Sequence, residues 1–338
     1  MAAQAIAIDA MSGDFGPRVI IPATVKFLHR NPDIFAFLVG DHEQISALLP
    51  AKVRHRVRIV HSDEVISMDE QPVAAMRYKK RSSIHLAVEL VKNGEAGACV
   101  SAGNTGALMA ISKYMLKMID GIERPAICGA LPSLKGHSYL LDMGANVDCD
   151  ARHLLQFALM ASVMVNALSG KVSPAVALLN NGEEDFKGNS QVKEAARLLS
   201  EHANIHYTGY VEGHRIFEGA ADIIVCDGFV GNIALKASEG VASYVLHKIR
   251  QEVRADFLSR CLSVLAWPAL YRVRNSIDPR VFNGAIFLGL QGVVVKSHGH
   301  ADEKAFYHAL EQAGHLMATD MVGHLHQVFL QSDNNTGD

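Results

Sequence analysis

The chain has 338 residues, of which 49% are hydrophobic and 20% charged, and this composition excludes intrinsic disorder. Its 32 Lys and Arg residues against 35 Asp and Glu residues give a net charge of −3. There is thus no global basic field of the kind that general nucleic-acid binding uses, and no nucleic-acid partner is expected. The length fits one large domain or two closely packed lobes. We predict a single α/β domain over residues 1–332 and a polar tail over residues 333–338.

Short apolar runs alternate with segments of helical period, the pattern of βα units around a buried sheet. In chain order, strands are predicted at Ala5–Met11, Phe35–Gly40, Val57–His61, Ala98–Ala102, Ala126–Leu131, Tyr139–Met143, Ala175–Leu179, Ile205–Tyr210, Asp222–Cys226 and Ala285–Val295. Helices are predicted at Arg18–His29, Ser83–Lys92, Thr105–Lys117, Ala151–Leu168, Gln191–His202, Gly231–Gln251 and Asp302–Leu330. The predicted fold class is therefore α/β, a Rossmann-like parallel or mixed sheet with helices on both faces.

Glycines and polar residues follow five of these strands. The loops are Asp9–Gly16, Ser101–Gly106, Asp142–Asn146, Asn180–Asn189 and Asp227–Asn232. Glycine lets backbone N–H groups approach an anion, and the following helix points its positive end at the same place. Any one such loop is more simply a βα turn with a helix cap. Because ligands bind at the carboxyl ends of strands in open parallel sheets, the five loops together predict one polar site of phosphate size.

Several familiar sites are missing from the sequence. No G-x-G-x-x-G follows the first strand, and neither a P-loop nor a G-x-S-x-G elbow occurs. The histidine pairs at residues 298 and 300 and at residues 324 and 326 do not resemble H-E-x-x-H, so no metal is expected. Cys99, Cys128 and Cys226 lie in apolar strand-like runs, and Cys149 lies between carboxylates that raise a thiol pKa. We expect no covalent side-chain intermediate.

The compartment is predicted from the cysteines and the apolar runs. The five cysteines lie far apart without a C-x-x-C pair, which favours a reducing compartment over a disulfide framework. The first residues lack the basic and apolar regions of a secretory signal. No apolar run approaches the roughly 20 residues that cross a bilayer. A cytoplasmic location is expected.

Lys187 and Asn232 are the two side chains whose position in the sequence favours a catalytic role. Lys187 follows three acids in a loop with Gly and Asn, where one cation would neutralise a phosphate or a developing oxyanion. The alternative is a solvated lysine paired with those acids. Asn232 opens a long predicted helix, where it is either an oxyanion donor or a helix-capping amide.

Two surface segments are candidate contacts. Within residues 251–280 an amphipathic helical hairpin is predicted. Its apolar face and tip carry Phe257, Leu258, Leu262, Leu265 and Trp267. These side chains suit contact with a membrane interface, contact with a second subunit or simple burial in the protein. The basic cluster, defined as Arg77, Lys79, Lys80 and Arg81, is either a solvated surface or a docking site for an acidic protein.

The loops carry a family resemblance. The segments IAIDAMSGDFGP, ACVSAGNTGALMA, LLDMGANVDCD, LLNNGEEDFKGN and IIVCDGFVGN occur in this order and span almost the whole chain. In them the chain resembles the bacterial phosphate acyltransferases of phospholipid synthesis. The resemblance implies a fold similar to phosphotransacetylase and isopropylmalate dehydrogenase, a homodimer at the inner membrane surface, and no cofactor. It implies transfer of a long acyl chain from acyl-carrier protein to inorganic phosphate, beside the downstream glycerol-3-phosphate acyltransferase.

Roles for the loop residues follow from this resemblance. Phosphate is expected to lie on Ser101, Gly103, Asn104, Thr105, Gly106 and Asn146. Negative charge at the reacting centre is expected to be stabilised by Lys187 and Asn232. The supporting polar residues are Asp9, Asp142, Asn181 and Asp227, and the basic cluster is expected to receive the acidic carrier protein. Three alternatives stay open: an acyl-CoA-dependent phosphotransacylase, a dehydrogenase of the related fold, and a membrane-surface scaffold for lipid enzymes.

Overall fold

The computed structural model describes residues 4–254 and 278–334, with residues 266, 268, 271 and 272 between them. The predicted contacts at Phe257, Leu258, Leu262, Leu265 and Trp267 lie outside the described residues, as does the end of the polar tail. The strands are β1 Ala5–Asp9, β2 Phe35–Gly40, β3 Val57–His61, β4 Ala98–Ser101, β5 Ala126–Ser133, β6 Gly136–Leu141, β7 Ala175–Asn180, β8 His206–Glu212, β9 Ile223–Val225, β10 Ala285–Leu288 and β11 Val293–Lys296. Within the described residues they form one eleven-stranded sheet in the order β3-β2-β1-β4-β11-β10-β5-β6-β9-β7-β8.

Helices connect and cover these strands. They are α1 Pro17–Arg30, α2 His42–Leu48, α3 Pro72–Tyr78, α4 Ser83–Lys92, α5 Thr105–Leu116, α6 Ala151–Ser169, α7 Ser190–Glu201 and α8 Gly228–Arg254, followed by two C-terminal helices, Glu303–Ala318 and Met321–Asn334. Three of the helices begin at side-chain caps: Asn104 caps α5, Asp150 caps α6 and Asn189 caps α7. The predicted mixed α/β class is confirmed.

Strand direction reverses within the sheet. β3, β2, β1, β4 and β11 are parallel to one another, whereas β10 is antiparallel to both β11 and β5, and β5 is antiparallel to β6. β6, β9, β7 and β8 are again mutually parallel. The carboxyl ends of β1 and β4 therefore lie at one edge of the hydrogen-bonded ladder, and those of β6, β7 and β9 lie at the other. The five loops that are predicted to form one polar site therefore follow strands that end on opposite sides of the ladder.

Two predicted elements are each divided in the structure. The strand predicted at Ala285–Val295 is the antiparallel pair β10 and β11, because Gly289 turns the chain with φ +91°. The helix predicted at Asp302–Leu330 ends at Ala318, where Asp320 adopts φ +46° before the last helix starts. The short helices α2 and α3 were not predicted.

Helix α6 forms part of the central core. Among the described residues it is the one helix long and apolar enough to cross a membrane by length and composition. However, Leu154, Phe157, Met160 and Met164 are fully buried in a cluster with residues of β6 and β9. Such burial is typical of a core helix.

An ionic cluster lies where the continuously described chain resumes, at Asp278. The Asp278 side chain is 4% exposed and accepts from Arg280 Nη2 at 2.7 Å and from Lys304 Nζ at 2.8 Å, while Arg280 Nη1 also binds Asp302 at 2.7 Å. The hydrogen bonds from Arg280 hold the pKa of Asp278 well below its usual value.

We expect Asp278→Ala to lower the free energy of unfolding by about 1–3 kcal/mol, because it leaves partly buried cations without their acceptor. A carboxyl group whose pKa is lower in the folded state stabilises the fold fully at pH values above its unfolded pKa of about 4. This stabilisation is lost as the pH falls through the lower pKa of the folded state. Urea unfolding at pH 7 and pH 3 measures both effects, and the difference between wild type and variant is expected to shrink at pH 3. Asp63→Ala removes a more exposed pair with Arg81 and serves as the control. Equal unfolding curves for wild type and Asp278→Ala at pH 7 would contradict the expectation.

Candidate active site

The first polar edge, at the carboxyl ends of β1, β4 and β11, contains a buried cluster of Asp9, Ser12, Ser101 and Lys296. Ser101 Oγ donates to Asp9 Oδ2 at 2.6 Å and accepts from Gly103 N at 3.0 Å. Ser12 Oγ accepts from the backbone N–H of residue 102 at 3.1 Å. Both serine hydroxyls are therefore committed to holding the loops, and Ser101 is fully buried.

The Asn104 side chain, also at this edge, is fully used within the protein. Its Oδ1 accepts from Ala107 N at 3.0 Å as the cap of α5. Its Nδ2 donates to the carbonyl oxygens of Ser67, Met68 and Glu70 at 3.3, 3.0 and 2.9 Å. Asn104 thus ties the 67–70 loop to α5 and has no donor left for an anion.

The groups that the Ser101–Gly106 loop still offers are Thr105 and the backbone N–H groups at the start of α5. Thr105 is exposed and its hydroxyl has no hydrogen-bond partner among the described residues. The first N–H groups of a helix have no partner within the helix. Gly106 is required by packing, since a Cβ there would lie 2.6 Å from Pro72 Cγ.

The second polar edge, at the carboxyl ends of β6, β7 and β9, is organised by Asp142. This fully buried carboxylate accepts N–H groups from Ile127, Gly144 and Ala145 at 3.0–3.2 Å on Oδ1, and the Asn146 backbone and side chain at 2.7 and 2.9 Å on Oδ2. Burial raises the pKa of Asp142, and the N–H donors oppose that rise. The carboxylate fixes the course of the 142–146 loop.

Asn146 therefore belongs to the second polar edge and not to the Ser101–Gly106 loop beside which the sequence placed it. Its Nδ2 also donates to the carbonyl oxygen of Pro125 at 2.6 Å, and its own carbonyl accepts from Gly228 N at 2.8 Å. The side chain is satisfied internally, so Asn146 shapes this edge and offers no free donor.

Helix α8 brings Asn232 to this edge. Asp227 caps the helix, accepting from Val230 N at 2.8 Å. Gly231 packs so closely on β6 that a Cβ there would overlap the carbonyl oxygen of Asp142. One residue on, the half-buried Asn232 side chain lies over Gly144, and its amide makes no hydrogen bond within the described part of the chain. Asn232 is thus an available donor on a rigid helix.

Lys187 lies in the loop that leaves the same edge from β7. Asn181 Oδ1 accepts from Gly188 N at 3.0 Å and closes this loop. The half-buried Lys187 ammonium lies 5.5 Å from the centre of the Phe186 ring and has no ion pair in the described residues. The predicted alternative of a pair with the neighbouring acids is not observed, since Glu183 instead pairs with Arg215.

Asn180, which ends β7, adds another free donor. Its Nδ2 is buried without a hydrogen-bond partner. The predicted strand ends one residue earlier, at Leu179, and Asn180 opens the predicted polar loop without a role of its own. The signal was present, because a polar side chain that follows an apolar strand stands at the carboxyl edge of the sheet.

The described cysteines are unsuitable as nucleophiles. Cys99, Cys128 and Cys226 are buried, and burial raises the pKa of each thiol. Burial also raises the pKa of Cys149, to about 12. A reactive thiol requires a lowered pKa, so these cysteines stay protonated at neutral pH. Among the described residues no group of three or more His, Cys, Asp or Glu side chains is arranged to hold a metal ion.

Two of the four positive charges of the basic cluster are paired with carboxylates. Lys79 Nζ lies 2.7 Å from Glu70, and Arg81 Nη2 lies 2.9 Å from Asp63. Arg77 and Lys80 are exposed and form no ion pair with residues of the described ranges. The charge that the cluster offers to a partner is therefore mainly that of Arg77 and Lys80.

Comparison with known proteins decides the family. A family model described as "Fatty acid synthesis protein" matches residues 4–323. A protein from Methylococcus capsulatus named phosphate acyltransferase is 51% identical to this chain, over 90% of this chain and 91% of that protein. A protein of the same name from Pseudomonas aeruginosa is also 51% identical, over 96% of this chain and 98% of that protein. The chain belongs to the phosphate acyltransferase family. It is an acyltransferase, and the family predicted from the five motifs is confirmed.

Solved structures confirm the predicted fold of this phosphate acyltransferase family member. A phosphotransacetylase from Streptococcus pyogenes superimposes with a TM-score of 0.63 at 16% identity, covering 93% of this chain and 94% of that one. The EutD phosphotransacetylase from Staphylococcus aureus gives a TM-score of 0.61 at 13% identity with the same coverage. At such identities the likeness concerns the fold alone.

Proposed function

We propose that this acyltransferase moves a long acyl chain from the thioester of acyl-carrier protein to inorganic phosphate, forming an acyl phosphate for phospholipid synthesis. A phosphate oxygen attacks the carbonyl carbon, the new C–O bond forms, the C–S bond breaks, and the carrier leaves as a thiolate that takes a proton. The observation that carries the proposal is the pair of uncommitted donors, Lys187 and Asn232, at one edge of the sheet.

The chemistry needs no protein nucleophile, because phosphate is anionic near neutral pH. It needs phosphate and thioester held together and the tetrahedral oxyanion stabilised. Lys187 supplies a cation that no carboxylate neutralises in the described residues, and Asn232 supplies a neutral N–H donor from a fixed helix. The raised thiol pKa values support direct attack by phosphate.

Product analysis tests this proposal. Purified protein is mixed with palmitoyl-carrier protein and labelled orthophosphate, and a labelled product that hydroxylamine destroys is expected. A parallel reaction with palmitoyl-CoA tests the second candidate function, an acyl-CoA-dependent phosphotransacylase. The rates with the two acyl donors are compared, and a preference for palmitoyl-CoA would favour that candidate. Absence of labelled product with both donors would contradict phosphate transfer and favour the scaffold alternative.

Carrier docking is proposed for the basic cluster. We expect the double variant Arg77→Glu with Lys80→Glu to raise KM for acyl-carrier protein while KM for phosphate stays unchanged, because the carrier is acidic and complementary charge speeds encounter. Steady-state kinetics at low and high salt measure this, and Lys52→Glu, an exposed lysine elsewhere, is the control. An unchanged carrier KM at low salt would remove the cluster from docking.

A homodimer bound to the inner membrane surface, near the glycerol-3-phosphate acyltransferase that consumes the product, completes the proposal. Support for a subunit contact comes from α8, whose Ile233, Val241, Tyr244 and Ile249 are 41–63% exposed. At about 100° per residue, Ile233, Val241 and Tyr244 lie within about 80° of one another around the helix, whereas Ile249 lies about 80° further round than Val241. Sedimentation equilibrium tests the dimer, and a monomer mass at micromolar concentration would contradict it.

A further inference from the structure

Asn180 lies against the loop that carries Lys187. It ends β7, where it pairs in register with Glu212 of β8. A Cβ placed on Gly188 would lie 2.6 Å from Asn180 Oδ1 and 3.1 Å from Nδ2, so the Asn180 amide contacts the residue directly after Lys187. Gly188 has φ +88°, a conformation that favours glycine, and its N–H donates to Asn181 Oδ1. The turn after Lys187 is thus held by one hydrogen bond and by the Asn180 amide.

The stem of the Lys187 side chain is fixed by a second contact within the loop. A Cβ placed on Gly182 would lie 2.7 Å from Lys187 Cγ and 3.2 Å from Cδ, so the stem crosses directly over the backbone of Gly182. The backbone N–H of Lys187 donates to the carbonyl oxygen of Glu184 at 2.9 Å. Because a packed stem has few rotamers, these contacts and the turn supported by Asn180 set where the ammonium lies.

The Asn180 amide is unfavourable for the stability of the fold. Its Nδ2 is buried and makes no hydrogen bond within the described residues. An unpaired buried N–H destabilises a protein, and a leucine, which has the same branched shape, would avoid this effect. Gln191 Nε2 of α7 and the Tyr207 hydroxyl of β8, in the elements next to the loop, are also buried there without a partner. Packing does not explain these polar groups, whereas a donor that is used during the reaction explains Asn180.

We propose that Asn180 is a positioning residue for Lys187: its amide supports the turn at Gly188, and its unpaired N–H donates to the loop backbone when the ammonium meets the developing oxyanion. This inference rests on the proposed function, in which Lys187 stabilises that charge. A hydrogen bond that forms only at this stage stabilises the transition state more than the bound substrate, so it raises kcat and leaves KM unchanged. Asn180 acts through Lys187 and requires no contact with the substrate.

The kinetics of Asn180→Leu measure the contribution of the N–H group. We expect kcat for acyl phosphate formation to fall about tenfold, the effect of one hydrogen bond, with KM for both substrates unchanged. The thermal midpoint is expected to stay at or above that of wild type, because the variant loses an unpaired buried N–H. In the Lys187→Ala background the same substitution is expected to change kcat by less than about twofold, since residues that act as a unit are not additive. Equal factors in the two backgrounds would overturn the inference.

Chemical labelling of Lys187 gives a readout that needs no turnover. Wild type and Asn180→Ala, which removes the contact with Gly188, are treated with limiting acetic anhydride, and the acetylated peptides are quantified by mass spectrometry. We expect the half-buried Lys187 to be labelled several times faster in Asn180→Ala, whereas the exposed Lys193 keeps its rate. Ser112→Ala removes another buried unpaired hydroxyl, in α5, and is the control. It is expected to keep the wild-type kcat and the wild-type labelling of Lys187.

The two readouts separate this inference from the proposed function. If wild type forms no acyl phosphate, the proposed function fails, and the labelling still decides whether Asn180 positions Lys187. If wild type is active and Asn180→Leu keeps its kcat, the inference is overturned and the proposed function stands. Wild-type labelling of Lys187 in Asn180→Ala also overturns the inference. If Asn180→Leu does not fold, Asn180→Asp, which keeps the shape and lacks the N–H donor, is measured in both backgrounds instead.

Discussion

Lys187→Ala and Asn232→Ala are each expected to lower the rate of acyl phosphate formation by about 10²- to 10³-fold, the effect of removing one oxyanion-stabilising donor. Neither side chain forms a hydrogen bond or an ion pair in the described residues, so their removal breaks no polar contact that holds the fold there. We therefore expect kcat to fall while the thermal midpoint stays close to that of wild type. Initial rates with saturating acyl-carrier protein and phosphate, together with thermal unfolding, measure this.

Matched controls exist for both variants. Lys193 lies in α7 and Asn204 lies between α7 and β8, and both are exposed. Lys193→Ala and Asn204→Ala are expected to retain wild-type rates. Wild-type kcat in both Lys187→Ala and Asn232→Ala would remove these residues from the mechanism. A loss of activity accompanied by a large fall in the thermal midpoint would instead indicate a structural role.

Gly231→Ala is expected to abolish most activity without touching a polar side chain. A Cβ at residue 231 would overlap the backbone carbonyl of Asp142, which is fixed in the loop, so the start of α8 must move away. Asn232 then leaves its position, and small displacements of this kind lower rates by about 10²-fold. Overpacking also destabilises the fold by about 1–3 kcal/mol. Urea unfolding and initial rates measure the two effects.

Gly240→Ala, in the same helix, is the control for this variant. No atom outside its own helix lies within 4 Å of a Cβ placed there, so only helix propensity changes. An alanine in a helix interior is expected to stabilise by about 0.5–1 kcal/mol, with kcat unchanged. Wild-type activity in Gly231→Ala would show that the position of Asn232 is not critical.

Much of the fold was predictable because apolar runs fix where buried strands lie. Strands β1, β2, β3 and β4 match their predicted positions within a few residues. β10 and β11 were merged because both are apolar and only four residues separate them. Strand direction was not predictable, since it changes at three antiparallel pairs, β11–β10, β10–β5 and β5–β6. The β10–β5 pair joins two segments that lie far apart in sequence.

The residue types of the site were predictable from the sequence, but which of its side chains keep a free hydrogen-bond donor was not. Asn104, Asn146 and Asn232 all follow strands, and sequence position alone does not distinguish an amide that caps and clamps from one that is free. Hydrogen bonding distinguishes them: Asn104 and Asn146 are satisfied by backbone groups, and Asn232 is not. Lys296 was not predicted, because a lysine at the end of an apolar strand lacks the glycine and asparagine pattern that marks the polar loops.

The central claim is that phosphate itself, and no side chain, breaks the thioester. The most direct measurement is the intact mass of the protein, quenched at intervals after mixing with palmitoyl-carrier protein in the absence of phosphate. An unchanged mass at every time point is predicted, with acyl phosphate appearing only after phosphate is added. A palmitoyl adduct that forms at the turnover rate and disappears on addition of phosphate would contradict the claim, since covalent acyl-enzymes behave in this way.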